Sequence, residues 1–300
     1  MPPSPLQMRP LDWGLLIGLS ILWGGSFFFV QIAVPHLPAM TIVLARVGIA
    51  ALVLGAVLRI RAIPLPKGWA VWRALAVMGL LNNALPFSLF VLAQGQIGSA
   101  LASILNATTP LFTLIVAHLA TRDEKLGIAK VLGLLIGFGG VIVMMGGAAL
   151  SGSREAVLAQ GACLLAALCY AAASVWGRRF RTLGVTSFQT AFGMLASSTV
   201  LLLPLVAVVD RPWALDWPGW GPVAALCALA LFSTALAYQI YFRLLATAGA
   251  VNLALVTFLI PVSAIGLAIV ILGETLLPRH IAGFALIVSG LWAIGGRFGR

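Results

Sequence analysis

The sequence predicts an all-α integral membrane protein whose ten transmembrane helices form two inverted five-helix repeats around a central cavity. Three observations carry this expectation. Of 300 residues, 62% are hydrophobic and 8% charged, with a mean hydropathy of +1.11, whereas a soluble domain carries about 25% charged residues. The apolar residues fall into runs of about 20, the length of helix that crosses a hydrocarbon layer about 30 Å thick. The second half of the chain echoes the first at a spacing of about 150 residues.

In lipid every backbone N–H and C=O must be paired within its own segment, so the runs read as helices, broken at charges, prolines and glycines. They cover residues 13–34, 40–58, 71–93, 99–119, 126–146, 157–177, 188–209, 222–242, 250–272 and 281–296. The first is too long for the apolar part of a signal peptide and no small-residue cleavage pattern follows it, so it reads as a true span. Its centre holds Trp23, Gly24, Gly25 and Ser26, where an anchor would need only Leu and Ile. The glycines remove side chains so that a neighbouring helix or a ligand can approach, and Trp23 offers a broad apolar face with one N–H donor.

The second run contains Arg46, eight residues from Pro38 and therefore about 12 Å down the helix. A guanidinium there costs about 2.5 to 3.5 kcal/mol unless it faces water or a partner. Two readings are open: Arg46 receives a substrate carboxylate, or it pairs with a helix-end carbonyl or an outer acid and stabilises a closed gate.

The third run carries Asn82, Asn83 and Ser88 around Pro86, and the fourth Asn106, Thr108 and Thr109 before Pro110. The fifth contains GLLIGFGG, residues Gly133 to Gly140, whose small residues at four-residue spacing allow close helix packing. No strand precedes it, so it is not a nucleotide loop. Tyr170 and Ser174 lie in the sixth run, Ser233, Thr234, Tyr238 and Gln239 in the eighth, and Thr257 and Ser263 flank Pro261 in the ninth. Uncharged donors and acceptors suit the amino and carboxylate groups of a zwitterion, and they equally bond helix to helix at about 0.6 kcal/mol each.

Tyr170 matches Trp23 at a shift of 147, so the two aromatics are expected to face each other across the repeat axis and form a pocket for a flat or apolar side chain. The expected substrate contacts are Trp23, Ser26, Asn82, Asn83, Asn106, Tyr170, Tyr238 and Gln239. Pro86, Pro110 and Pro261 each remove a backbone bond and should kink their helices, either as hinges or as static bends that shape the cavity.

Cytoplasmic loops hold the excess of Lys and Arg. With the N-terminus inside, that side collects Arg9, Arg59, Arg61, Lys67, Arg73, Arg122, Lys125, Lys130, Arg178, Arg179, Arg181, Arg243, Arg297 and Arg300, against Arg154, Arg211 and Arg279 outside. Both termini are expected to be cytoplasmic, in a multi-pass protein of the cell inner (plasma) membrane. Trp69, Trp72 and Trp176 then fall at the inner interface and Trp213, Trp217 and Trp220 at the outer one, where amphipathic rings rest.

The repeat is explicit in particular residues. A shift of 151 pairs Ala84 with Ala235, Leu85 with Leu236, Gly98 with Gly249, Pro110 with Pro261 and Ala117 with Ala268. A shift of 150 pairs Glu124 with Glu274, Leu126 with Leu276, Gly133 with Gly283, Gly140 with Gly290 and Gly146 with Gly296. This divides the chain into residues 1–150 and 151–300. Five spans per copy is an odd number, so the second copy enters the membrane from the opposite side. Such inverted repeats build alternating-access carriers with a site near the midplane.

Other classes of function fit poorly. The net charge of +11 comes in short clusters, with no stripe or tail of interleaved aromatics, which argues against nucleic acid as a partner. Cys163, Cys169 and Cys227 are odd in number, lack CxxC spacing and fall within apolar runs, so they read as small core residues with no disulfide framework or zinc site. Asp12, Asp123, Glu124, Glu155, Asp210, Asp216 and Glu274 lie in loops or at span ends, which argues against exchange of protons for a cation. His36 and His280 are placed in outer loops. His118 ends the fourth span as a proton relay or a plain interfacial residue. HExxH, a Ser-His-Asp set and ATP-binding motifs are missing. No cofactor or metal is expected, and the partners are the lipid bilayer and a small-molecule substrate, with the chain acting as a monomer.

The Trp-Gly pair of the first helix, Pro110 and Pro261, and the GE of ILGETLLPRHIAGFALIVSG resemble the two EamA-type repeats of the drug/metabolite transporter superfamily. The resemblance covers nearly the whole chain, and its ten-helix length and small loops are most similar to amino-acid exporters of the YddG type. It implies a basket of ten helices around a central cavity and export of aromatic or other neutral amino acids. The expectation is a secondary transporter or facilitator exporting small neutral metabolites by alternating access. A proton-coupled drug or metabolite exporter of the same superfamily is the alternative, and a membrane channel or membrane-embedded enzyme is the alternative from another class.

Overall fold

The computed structural model describes residues 8–121, 126–151, 153–253 and 255–295. Arg122, Asp123, Glu124, Lys125, Gly296, Arg297 and Arg300, which carry part of the charge pattern and of the repeat, lie outside the described residues. Those described form helices and no strand. In chain order they are α1 Pro10–Ala33, α2 Ala39–Ile60, α3 Trp69–Gln94, α4 Ser99–Ala120, α5 Ile128–Ser151, α6 Arg154–Gly177, α7 Ser187–Val209, α8 Trp220–Thr247, α9 Val256–Val270 and α10 Pro278–Gly295.

Among the described residues, seven helical stretches are long and apolar enough to cross a membrane: α1 to α4, Arg154–Thr182, α7 and α8. Three shorter apolar helices, Lys130–Met145, Val256–Val270 and Pro278–Ile294, fall within α5, α9 and α10. Large apolar side chains are exposed along the long and the short helices alike, Leu52 of α2 at 76% and Trp292 of α10 at 74% among them. Water would penalise a patch of that size. Hydrocarbon does not, and this distribution belongs to a multi-pass membrane protein.

The first N–H groups of a helix have no partner within it and favour an anion; acidic residues at the span ends meet that need. Glu274, in the loop after α9, accepts from Ser99 N (2.8 Å), Ser99 Oγ (2.6 Å) and Ala100 N (3.0 Å) at the start of α4. Asp210, after α7, accepts from Thr41 N (2.7 Å) and Thr41 Oγ1 (2.8 Å) at the start of α2. Asp12 accepts from Arg9 N (3.1 Å) and, across the bundle, from Thr247 Oγ1 (3.0 Å) at the end of α8. These carboxylates tie sequence-distant helix ends together.

Helix pairing follows a pattern that repeats after five helices. α1 packs on α9 and α8, as α6 packs on α4 and α3; α2 lies on α7, and α5 lies along α10. Glycine brings the backbones together in the last pair, where a Cβ on Gly290 would lie 2.7 Å from Gly137 N and one on Gly140 would lie 3.1 Å from Ile287 N. Gly24 makes the same kind of contact, since its Cβ would lie 2.8 Å from Ala264 N of α9, and nearby Ser263 Oγ donates to Ser20 O at 2.7 Å. Gly24 therefore admits a helix, and no room remains there for a ligand.

Several expectations need correction. Cys227 is exposed on α8, unlike Cys163 and Cys169. Ser174 faces outward on α6 and bonds only to Ala171 O. His280 is buried in the first turn of α10 rather than in a loop, because Pro278 starts that helix before the expected span. The three prolines stand in different local settings. Pro110 stands in the first turn of Thr109–Ala120, after α4 has broken at Ala107 and Thr108, and Pro86 opens the α-helical stretch Leu85–Gln94. Pro110, in a first turn after a break, gives up an N–H that was unpaired anyway. Pro261 lies inside α9, and Pro86 lies inside α3, next to its change of winding at residues 80–84. Pro204, inside α7, is another interior proline.

Gly290→Val should lower the stability of the purified protein by about 1 to 3 kcal/mol through overpacking of the α5–α10 seam, read as an earlier thermal unfolding transition in detergent. Gly139→Val, whose Cβ would meet nothing within 4 Å, should leave the transition in place.

Candidate functional site

Halfway along α3 and α8 the helical winding widens. Residues Leu80–Ala84 and Leu231–Leu236 form π-helical turns, 151 residues apart. Gly68 (φ 91°) precedes α3 and Gly219 (φ 92°) precedes α8 at the same spacing. Pro86 follows the first turn, but Ala237 stands at its counterpart, so proline is not the common cause. A π turn disturbs the regular bonding of the helix and recurs at functional sites.

Hydroxyl groups satisfy the disturbed backbone. Thr234 Oγ1 donates to Leu229 O at 2.9 Å within α8. Ser198 of α7 donates to Gly79 O at 2.9 Å, just before the turn in α3; a Cβ on Gly79 would lie 2.8 Å from Ser198 Oγ.

The side chains of the two turns meet in one polar network. Asn83, fully buried, donates through Nδ2 to Ser198 Oγ at 3.3 Å. Tyr238, on α8, donates its hydroxyl to Asn83 Oδ1 at 3.3 Å and accepts from Asn82 Nδ2 at 3.2 Å. On the other side Arg46 of α2 donates through Nε to Thr234 Oγ1 at 3.0 Å, with its Cζ 3.6 Å from the centre of the Phe87 ring. The first turn is thus held by a serine from α7 and the second by an arginine from α2.

Arg46 is 8% exposed and takes neither partner expected of it, an outer acid or a helix-end carbonyl. Asp12, Asp210 and Glu274 are engaged elsewhere, and the described structure gives Arg46 no ion pair. Its terminal nitrogens make no hydrogen bond among the described residues and are not sealed from accessible space.

Aromatic rings flank the network. Trp23 lies 5.6 Å from Tyr241 of α8, while Tyr170 of α6 stacks on Phe90 of α3 at 6.2 Å and 23°. The expected facing of Trp23 and Tyr170 gives way to two cross-bundle pairs, because α1 packs on α8 and α6 on α3. Phe90 and Tyr241 are themselves 151 residues apart. Tyr170, Tyr238 and Tyr241 are half-buried. Asn82 and Trp23 are likewise only partly buried.

The remaining expected contacts stand outside this set. Asn106 accepts only from Thr109 Oγ1, through its backbone O at 2.7 Å and its Oδ1 at 3.5 Å, at the break in α4. Ser26 is buried and Gln239 half-buried, and neither joins the network. His118 accepts from Leu126 N at 3.1 Å through Nδ1. A concavity of about 500 Å³ opens near the start of α3, lined by Arg73, Val77, Trp176, Arg179 and Thr182.

Sequence reasoning missed Phe87, Ser198, Phe90 and Tyr241. Tyr241 was within reach, since residues three apart share a helix face and Tyr238 had been singled out. Ser198 carried no distinguishing signal in a run that also holds Ser197 and Thr199.

The profile of the EamA-like transporter family matches residues 13–146 and again 158–296. The inner membrane transporter YedA of Escherichia coli K12, described as uncharacterized, is 31% identical over 272 residues, covering 90% of this chain and 85% of that one. The uncharacterized transporter YvbV of Bacillus subtilis is 27% identical, covering 92% and 89%. A WAT1-related chloroplastic protein of Arabidopsis thaliana is 26% identical, covering 95% of this chain and 69% of its own. A crystal structure at 20% identity superposes with a TM-score of 0.67, covering 97% of this chain and all of the other, a likeness of fold.

Tyr238→Phe removes the hydroxyl that joins Asn82 to Asn83 and should cost about 1 kcal/mol of stability, measured by thermal unfolding in detergent. Tyr241→Phe, whose hydroxyl makes no hydrogen bond among the described residues, should unfold with the parent.

Proposed function

The chain belongs to the EamA-like transporter family, and on that premise we propose that it is a secondary transporter or facilitator exporting small neutral metabolites, aromatic or other neutral amino acids first among them, by alternating access. The observation that carries this reading is the pair of π turns, 151 residues apart, joined at mid-bundle by Asn82, Asn83 and Tyr238. Irregular backbone at membrane depth is tolerated where protein buries it or where it lines a cavity. Discontinuous helices at the midplane are how inverted-repeat carriers build their sites.

In this reading residues 1–150 and 151–300 are two copies threaded in opposite senses, ten helices cross the bilayer, and both termini are cytoplasmic. The doubled family match and the helix pairing that repeats after five helices support it. Trp23 with Tyr241, and Tyr170 with Phe90, offer flat faces to an apolar side chain. Asn82 and Tyr238 offer neutral donors and acceptors. The break in α4 before Pro110 and the short helix Gly249–Leu253 before α9 let the helix ends swing about a fixed centre. The carboxylates at helix ends already serve as caps, which favours downhill flux or exchange over proton coupling. The chain works as a monomer.

Uptake of labelled amino acids, nucleosides and cationic dyes into proteoliposomes, with and without a pH gradient, tests the proposal. Saturable counterflow of neutral amino acids, indifferent to pH, is the expected result, and pH-driven dye exchange would contradict it. Trp23→Ala should reduce counterflow by about tenfold or more with folded protein recovered in full. Unchanged flux would remove Trp23 from the site.

A further inference from the structure

We infer that the central site recognises a carboxylate through Arg46 and prefers substrates whose only charge is that carboxylate, namely monocarboxylates with an aromatic or bulky apolar body. This rests on the carrier reading and moves its substrate from neutral metabolites to monoanions. Each π turn is bridged from a neighbouring helix, and the two bridges differ in one respect. Asn83 in the turn of α3 bonds Ser198 of α7, and Thr234 in the turn of α8 bonds Arg46 of α2. Arg46 and Ser198 stand 152 residues apart, next to the repeat spacing, so a serine fills this bridging role in one copy and an arginine in the other. The bridge itself needs a hydroxyl. The guanidinium adds a charge that the fold does not require there.

Among the described residues that charge has no anion within ion-pair distance. Only Nε is engaged, to a neutral hydroxyl, and Phe87 covers one face of the guanidinium at 3.6 Å. The terminal nitrogens keep accessible surface with no hydrogen-bond partner among the described residues. Arg46 bonds Thr234, one helical turn from Tyr238, whose hydroxyl joins Asn82 and Asn83. An arginine cannot shed its proton to escape the penalty, and its fork matches a carboxylate in two-point geometry.

An added ammonium gains little in this site. The network presents neutral acceptors, Asn side-chain oxygens and tyrosine hydroxyls, and no acid. In an α-amino acid the ammonium would sit close to the carboxylate and therefore close to Arg46, where like charge repels. A monoanion leaves the occupied site electrically neutral, whereas a zwitterion leaves the cation's charge standing.

The test uses the full chain, purified in detergent and reconstituted in proteoliposomes, with four compounds sharing one ring: 3-phenylpropionate, L-phenylalanine, 2-phenylethylamine and 3-phenylpropan-1-ol. Thermal stabilisation should be strongest with the acid, weaker with the amino acid and absent with the amine, the acid binding about 30-fold more tightly than the alcohol. Arg46→Gln should bring the acid down to the level of the alcohol, and Arg46→Lys should restore part of the difference. Equal or better stabilisation by the alcohol or the amine overturns the inference, as does no shift with any of the four. The parent protein settles this even where the variant fails to fold. Counterflow of phenylalanine without preference for the acid would sink this inference and leave the carrier standing. Tight acid binding without flux would do the reverse.

Discussion

A backbone that leaves the α-helical pattern in the middle of a membrane must find its partners inside the protein, because lipid offers none. That constraint organises this structure. The π turns of α3 and α8 occur at mid-helix, at matching places in the two halves of the chain. Their disturbed carbonyls draw in the hydroxyls of Ser198 and Thr234, and their outward side chains draw in Tyr238 and Arg46. The polar centre of the molecule is thus a consequence of two local departures from regular helix. The same departures place α2 and α7 where they can reach it.

Away from the centre the chemistry separates by position. Glycine lines the seams where backbones approach, along α5 and α10 and at Gly24. Carboxylates occupy helix ends, where Glu274, Asp210 and Asp12 each bond across to a distant helix. Each of those acids is at once a cap and a tether. Removing charge from the centre and keeping it at the ends leaves Arg46 as a conspicuous exception. Its isolation from the acids makes it a natural receiver for a charge brought by a ligand.

The parts of this design that were legible in the sequence are those that violate the rules of an apolar helix. Asn82, Asn83, Tyr238 and Arg46 stood out because each is costly in lipid, and the structure brings all four to the two π turns. The repeat was legible from Pro110 and Pro261, although the breaks near them fall at different places, before Pro110 in α4 and ahead of α9. The π turns themselves were not legible, because the same residues form either winding and neighbouring helices decide between them. Trp23 stands against Tyr241 where Tyr170 was the expected partner. Equivalence under the repeat does not specify adjacency, which here pairs α1 with α8 and α6 with α3. Gly24 carried two readings in sequence, and the nearness of Ala264 decides for packing.

The account stands on the claim that Asn82 and its neighbours border a space that water and solute enter. Replace Cys163, Cys169 and Cys227 by alanine, introduce Asn82→Cys, and expose sealed proteoliposomes to a membrane-impermeant thiol reagent. The account predicts that the new thiol is labelled from the aqueous phase and that substrate slows the labelling. A thiol that stays unreacted until the protein is unfolded would contradict it.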